Sequence, residues 1–89
     1  MALFGPPNIE KLKAGRNVKG LIKVLEHQHD VTLRREATIA LGELRDAHAV
    51  HALEAMLRDI EPGVRESAAQ ALGQIGHAHA VQPLVKALH

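Results

Sequence analysis

Apolar residues recur along this chain at alternating spacings of three and four positions, which is the spacing of one face of an α-helix. The clearest stripe of this kind is followed, after a short break, by a second one. The first stripe consists of Leu33, Ala37, Ala40, Leu41 and Leu44, and the second of Val50, Leu53, Met56 and Leu57. The pattern predicts two amphipathic helices joined by a tight connection, which is a helical hairpin.

Both stripes return 31 residues later in the chain. The returning positions are Val64, Ala68, Ala71, Leu72 and Ile75, and then Val81, Leu84 and Leu88. Many aligned residues are identical, among them Arg34/Arg65, Gly42/Gly73, His48/His79, Leu53/Leu84 and Leu57/Leu88. A fixed period of this length is typical of stacked repeats, in which each unit has an apolar face that only its neighbours cover.

A looser copy of the same pattern precedes these two, with a shift of 32 residues. It comprises Ile9, Leu12, Val18, Leu21, Val24 and Leu25. We therefore divide the chain into an N-terminal cap at residues 1–7, a degenerate repeat at 8–29, and full repeats at 30–60 and 61–89. We expect Phe4 of the cap to pack against the first hairpin.

Local chemistry predicts where the helices begin and end. Asp30 and Glu61 stand at equivalent places, and Pro62 follows Glu61 at a plausible first helical position. An acidic side chain and a residue without an amide hydrogen are both favourable at a helix start. Gly76 suits a helix end that requires a left-handed residue. Because Pro83 is tolerated only in a first turn, we expect a separate final helix to begin near residues 79–80.

Two glycines lie at equivalent positions inside the first helix of each full repeat, at Gly42 and Gly73. Each lowers the intrinsic stability of its helix by about 1 kcal/mol relative to alanine. We expect both to allow a neighbouring helix to approach closely.

The run Val-Arg-Glu-Ser-Ala-Ala-Gln-Ala-Leu-Gly-Gln-Ile-Gly at residues 64–76, followed by Ala-Val-Gln-Pro-Leu at 80–84, closely resembles the short HEAT-like repeat of the phycobilisome-lyase type. The resemblance covers residues 31–89 well and 8–30 loosely. It implies an all-α fold, a right-handed α-α superhelix with about two and a half helical hairpins. Where that repeat usually has Asp after the Ile-Gly pair, this chain has His77.

The same resemblance implies a role in protein interaction or scaffolding, with a small bilin-lyase-like subunit or chaperone as the alternative. In HEAT-like solenoids the second helix of each hairpin lines the concave side. The aligned outward positions there are polar and modestly basic: Lys19, Lys23, His51, Gln82 and Lys86. We interpret them as a candidate groove for a protein or an acidic peptide segment, and an ordinary solvated helix face is the other interpretation.

Composition excludes several classes of function. The net charge is +1, yet residues 1–29 carry five basic and two acidic side chains, so this part is +3 and the remainder is −2. So small a surplus does not predict nucleic-acid binding, and Phe4 is the only aromatic residue available for stacking on bases. The chain has no cysteine and no long apolar run. We therefore expect a cytoplasmic protein that binds neither nucleic acid nor membrane.

Catalytic motifs are missing. Deoxyhypusine hydroxylase, an enzyme with HEAT-like repeats, holds two irons through His-Glu dipeptides, but the aligned dipeptides here are Arg35-Glu36 and Glu66-Ser67. Ser67 is also the only serine and belongs to no nucleophile motif. The sequence therefore predicts no enzymatic activity and no cofactor.

Seven histidines are an excess for a chain of this length. Because equivalent turns of stacked repeats lie close together, a zinc or nickel site is one hypothesis. Its ligands would come from His48, His51, His77 and His79. The alternative is that these are exposed polar residues of the turns, since their spacing matches no established ligand motif.

The last repeat ends without a polar cap, on Val81, Leu84, Val85 and Leu88. The ends of solenoids require covering. Three interpretations follow: a homodimer through this end, a chain that belongs to a longer array, or a surface small enough to remain exposed.

Overall fold

The protein is built from helices that follow one another with short connections. The structure is a computed structural model that describes the backbone of residues 7–27 and 29–88 and the side chains of residues 7–26 and 29–79. The helices are α1 (Ile9–Ala14), α2 (Val18–His27), α3 (Val31–Leu44), α4 (Val50–Met56) and α5 (Pro62–Leu88). A short 3₁₀ turn, Ala47–Ala49, leads into α4. No strand occurs in these residues, and the predicted all-α architecture is confirmed.

The helices begin where side chains satisfy the free amides of the first turn. The side-chain oxygen of Asn8 accepts a hydrogen bond of 3.0 Å from the amide of Lys11 at the start of α1. Asp30 does the same for α3, where it accepts from the amide of Thr32 at 2.8 Å. Helix α5 begins at Pro62, which has no amide hydrogen to satisfy. The predicted starts at Asp30 and Pro62 are therefore confirmed.

The pairs α1–α2 and α3–α4 lie side by side, with α3 against α1 and α2, and α5 against α3 and α4. One apolar core runs through the described part of this arrangement. It contains Ile9, Leu21, Val24, Leu25, Ala37, Ala40, Leu41, Leu44, Ala49, Leu53, Ala71 and Ile75. Burial of such side chains contributes roughly 25 cal/mol per Å² of apolar surface, so the packing between neighbouring pairs stabilises the fold.

Gly42 and Gly73 behave differently in the structure. A β-carbon on Gly42 would lie 2.7 Å from the α-carbon of Ala71, so α3 and α5 approach each other here as only glycine allows. A β-carbon on Gly73 would meet no atom within 4 Å. The predicted close approach is confirmed at Gly42 and is wrong at Gly73 within the described residues, because no helix covers that side of α5.

A nearly buried ion pair ties the loop between α4 and α5 to helix α3. The Arg34 guanidinium donates to both carboxylate oxygens of Asp59, from Nε to Oδ2 at 2.9 Å and from Nη2 to Oδ1 at 3.1 Å. Their side chains are only 12% and 7% exposed. This two-point contact between the loop and the helix orients the start of α5 on α3.

Helix α5 is continuous, and the predicted break between Gly76 and residue 80 is wrong. In the preceding repeat, Arg45 adopts a left-handed φ of 54° and Asp46 caps the next turn through its carboxylate. Gly76 and His77 occupy these two places in α5, and Gly76 has no positive φ. With no carboxylate to start a new helix, the backbone continues the existing one.

The continuation of α5 beyond Gly76 is held by a contact with the end of α3. The Nε2 atom of His79 lies 2.9 Å from the carbonyl oxygen of Arg45, and it donates to this oxygen when it carries the proton. Because α5 runs without a break to Leu88, Pro83 lies deep inside this helix instead of in the first turn of a separate one.

Some predictions concern parts of the chain outside the described residues. The packing of Phe4 is one of them. The side chains of the predicted dimer contact are others, namely Val81, Leu84, Val85 and Leu88. These stay predictions, as do the repeat boundaries themselves, although α1–α2 and α3–α4 fall within residues 8–29 and 30–60.

Candidate functional site

The predicted concave residues with described side chains are all exposed. Lys19 and Lys23 lie on α2 and His51 lies on α4. Each of the three lines a different hollow of the surface. The side chains of Gln82 and Lys86 lie outside the described residues. The three hollows therefore have to be judged separately.

The hollow that contains Lys23 is a groove between α1 and α2, with a volume of about 390 Å³. We name it the α1–α2 groove, and its lining residues are Pro7, Asn8, Lys11, Leu12, Gly20, Lys23 and Val24. Gly20 lets the two helices approach, because a β-carbon there would lie 2.9 Å from the Leu12 side chain. The floor of the groove is apolar, and two lysines stand at its sides.

The two charged residues that line this groove, Lys11 and Lys23, are both basic. In the described part of the chain, neither Lys11 nor Lys23 takes part in an ion pair. The neighbouring Lys13 does, since its ammonium group lies 2.8 Å from the Glu43 carboxylate. That hydrogen bond raises the pKa of Lys13 above its usual value. Lys11 and Lys23 are thus free to meet an anionic group that approaches the groove.

Lys19 lies in a more mixed environment. Its hollow is formed by the turn before α2 and the loop after α3, with Arg16, Asn17, Val18, Lys19, Ile22, Asp46 and His48 as lining residues. The pKa of the Asp46 carboxyl is lowered, first by the backbone hydrogen bond from His48 and then by the imidazole, 2.7 Å away. Asp46 therefore remains ionised at neutral pH and offsets the positive charge of Lys19.

His51 lies in a shallow hollow on α4 together with Glu54, Ala55, Leu57 and Arg58. Its Nδ1 atom is 3.2 Å from the Glu54 carboxylate. Acidic and basic groups are both present, so this hollow has no clear preference for one sign of charge.

The four histidines proposed as metal ligands do not form a site. His48 bonds to Asp46, His51 to Glu54, and His79 to the backbone at Arg45. Within the described residues, no three His, Asp or Glu side chains are placed to hold a metal ion. His77 and His79 lie within the continuous helix α5 and not in the inter-helix turn that the metal-site hypothesis required.

The sequence pattern missed Lys11 and Leu12 as site residues. Leu12 was interpreted as a core position of the first repeat, and in the structure it is half-buried between the core and the groove. The signal that pointed to this region was the surplus of basic residues in the first third of the chain, which includes Lys11.

No helix in the described part of the chain has the length and apolar character needed to span a bilayer.

Comparison with known proteins agrees with this architecture. A search of curated proteins found no match. The family description "HEAT repeats" matches residues 18–89, which is most of the chain. The match identifies HEAT repeats in general and does not identify the phycobilisome-lyase subtype, which stays a prediction. With its repeated helical pairs and this match, the chain belongs to the HEAT-repeat family.

Proposed function

We propose that this chain is a non-catalytic protein-interaction module whose α1–α2 groove binds an acidic segment of a partner protein through one apolar side chain. HEAT repeats commonly mediate protein–protein interactions or scaffolding, which supports the general role. The observation that carries the specific proposal is the combination, in one groove, of an apolar floor with two lysines that form no ion pair with any described residue.

The floor provides the affinity. Leu12 and Val24 supply apolar surface beside Gly20, where α1 and α2 lie close together. A leucine or phenylalanine side chain of a partner, when fully buried, contributes about 1.5–3 kcal/mol. A single anchor of this kind gives weak binding, which is typical of short peptide segments.

The lysines provide the selectivity. An exposed ion pair contributes only about 0–1 kcal/mol, so Lys11 and Lys23 add little affinity by themselves. They do favour an acidic partner over a basic one and increase its association rate. The +3 charge of residues 1–29 acts in the same direction over a longer range.

Fluorescence anisotropy with two labelled peptides tests the proposal. The first peptide has one leucine flanked by glutamates, and the second has the same leucine flanked by lysines. The anchor and the two exposed ion pairs together contribute at most about 5 kcal/mol, so we expect the acidic peptide to bind with a Kd of about 0.2–10 mM. The basic peptide should bind at least about 10-fold more weakly. Equal binding of the two peptides contradicts the charge selectivity.

Two matched variants locate the site. Lys23→Glu reverses a charge beside the groove, and we expect it to weaken the acidic peptide about 10-fold. Lys19→Glu makes the same change on the same helix but in a different hollow. It should leave binding within about twofold. If both substitutions weaken binding equally, the peptide lies along the concave face predicted from the sequence and not in the α1–α2 groove.

A further inference from the structure

One side of helix α5 is exposed although the equivalent side of α3 is covered. On α3, Thr38 is 0% exposed and Gly42 is buried, and α5 packs against α3 at Gly42. The residues 31 positions later are Ala69 and Gly73, and both are exposed. The repeat thus presents the same helix face twice, once with a helix packed on it and once without.

We define the outer face of α5 by its exposed residues at helical spacing, which are Glu66, Ala69, Gln70, Gly73, Gly76 and His77. The equivalent face of α3 is covered by a helix, α5, which packs on it at Gly42. At Gly42 the α-carbon of Ala71 and the side chain of Gln74 lie so close that no β-carbon is tolerated. At Gly73 and Gly76 the space is open to 4 Å. The outer face of α5 is therefore shaped to receive another helix at close range.

We propose that this helix is α5 of a second copy of the chain, packed antiparallel across a two-fold axis. A two-fold interface uses the same surface of both copies, so the surface has to be complementary to itself. The outer face of α5 satisfies this condition, because Glu66 lies near one end and His77 lies eleven residues further along, near the other. Antiparallel pairing places Glu66 of each copy opposite His77 of the other, and an imidazole N–H donates to the carboxylate.

The remaining groups on this side are compatible with close contact. Ala69 and Gly73 lie between the two polar ends, so their small size permits the helix axes to approach to about 8 Å. Arg65 does not interfere, since its guanidinium donates to the carbonyl oxygens of Asp59 and Ile60 at 2.7 and 3.2 Å. The proposed contact extends the α3–α5 packing by one more helix and uses a surface separate from the α1–α2 groove.

Sedimentation velocity of the full chain over a concentration range from about 5 to 500 µM tests the pairing. We expect the mass to rise from the 9.6 kDa of one chain to twice that value. Ala69→Glu introduces a charge on the outer face of α5 and should raise the dissociation constant at least about 10-fold. Ala55→Glu is the matched control, because Ala55 is also an exposed alanine within a helix, here α4. It should leave the dissociation constant unchanged, and thermal melts at low concentration check that both variants are folded.

A charge exchange tests the antiparallel orientation. Glu66→Lys alone should weaken the dimer, because it places a cation opposite His77. Combining it with His77→Glu restores opposite charges across the axis and should restore most of the affinity. A mass that stays at 9.6 kDa throughout overturns the proposal. Masses beyond the dimer overturn it too, since they indicate head-to-tail stacking, and so does an equal effect of the two alanine substitutions.

Discussion

Gly42 of α3 lies against Ala71 of α5 so closely that a β-carbon on the glycine would sit 2.7 Å from the alanine α-carbon. Gly73 occupies the same place in the next repeat, and a β-carbon there would meet no atom from elsewhere in the described chain within 4 Å. Each glycine follows an Ala-Leu pair inside a helix, and the two differ in what covers them. Their substitutions should therefore have opposite effects.

Gly42→Ala should destabilise the protein by about 2–3 kcal/mol, because α5 has to move away to admit the methyl group. Gly73→Ala should stabilise it by up to about 1 kcal/mol, because alanine has the higher helix propensity and meets no obstacle. The free energy of unfolding, measured by urea denaturation at low protein concentration, checks both. Effects of the same sign would show that α3 and α5 do not pack as described.

The Arg34–Asp59 ion pair predicts that equivalent substitutions of Asp59 and Asp46 differ in their effect on the free energy of unfolding. Asp59→Asn removes the carboxylate charge that pairs with the nearly buried Arg34 guanidinium and should destabilise the protein by about 2 kcal/mol. Asp46→Asn removes a carboxylate of the same type from a pair whose imidazole is 90% exposed, and it should destabilise by less than about 1 kcal/mol. Urea denaturation at pH 7 measures both values. A larger loss for Asp46→Asn would argue against the loop contact.

Acid should weaken the contribution of Asp59 in a defined direction. The hydrogen bonds from Arg34 hold the pKa of the Asp59 carboxyl below its usual value. In the unfolded chain this carboxyl titrates near about 3.9, so below that pH the unfolded state binds the proton more readily than the folded state. The stabilisation is complete above this pH and is lost as the pH falls towards the folded pKa.

The free energy of unfolding of the wild type and of Asp59→Asn should therefore differ by a constant amount above about pH 5 and converge below about pH 4. Denaturation curves recorded at a series of pH values provide the measurement. Using the difference between the two proteins removes the contributions of Asp46 and the other carboxyls. A difference that stays constant down to pH 3 would contradict the assigned role of Arg34.

Because α5 is continuous, the distance between positions 66 and 86 can be predicted. The chain has no cysteine, so spin labels attach only to introduced ones. Labels at Glu66→Cys and Lys86→Cys are separated by 20 residues, which corresponds to about 30 Å along one helix. A hairpin would bring the same two positions to within about 15 Å of each other. Pulsed electron paramagnetic resonance on labelled chains diluted into unlabelled protein distinguishes the two, and the shorter distance would restore the break expected from the repeat.

The sequence identified one of the two lysines beside the α1–α2 groove. Lys23 was identified from its outward position on the second helix of a repeat, and the structure places it beside a groove. Lys11 was not identified, because its role depends on how α1 packs against α2 at Gly20. The expected alignment of Lys19, Lys23 and His51 along one surface also required each repeat to turn in the same way.

The sequence by itself determined the class of fold, the 31-residue period and the helix starts at Asp30 and Pro62. The helices and their starts follow from the spacing of nearby apolar residues and from the capping of free amides. The period follows from the recurrence of that local pattern along the chain. Only the tertiary structure decided which glycine is covered, that Arg34 pairs with Asp59, and that α5 continues past Gly76. Each of these depends on atoms distant in the sequence, whose approach is set by the packing of whole helices.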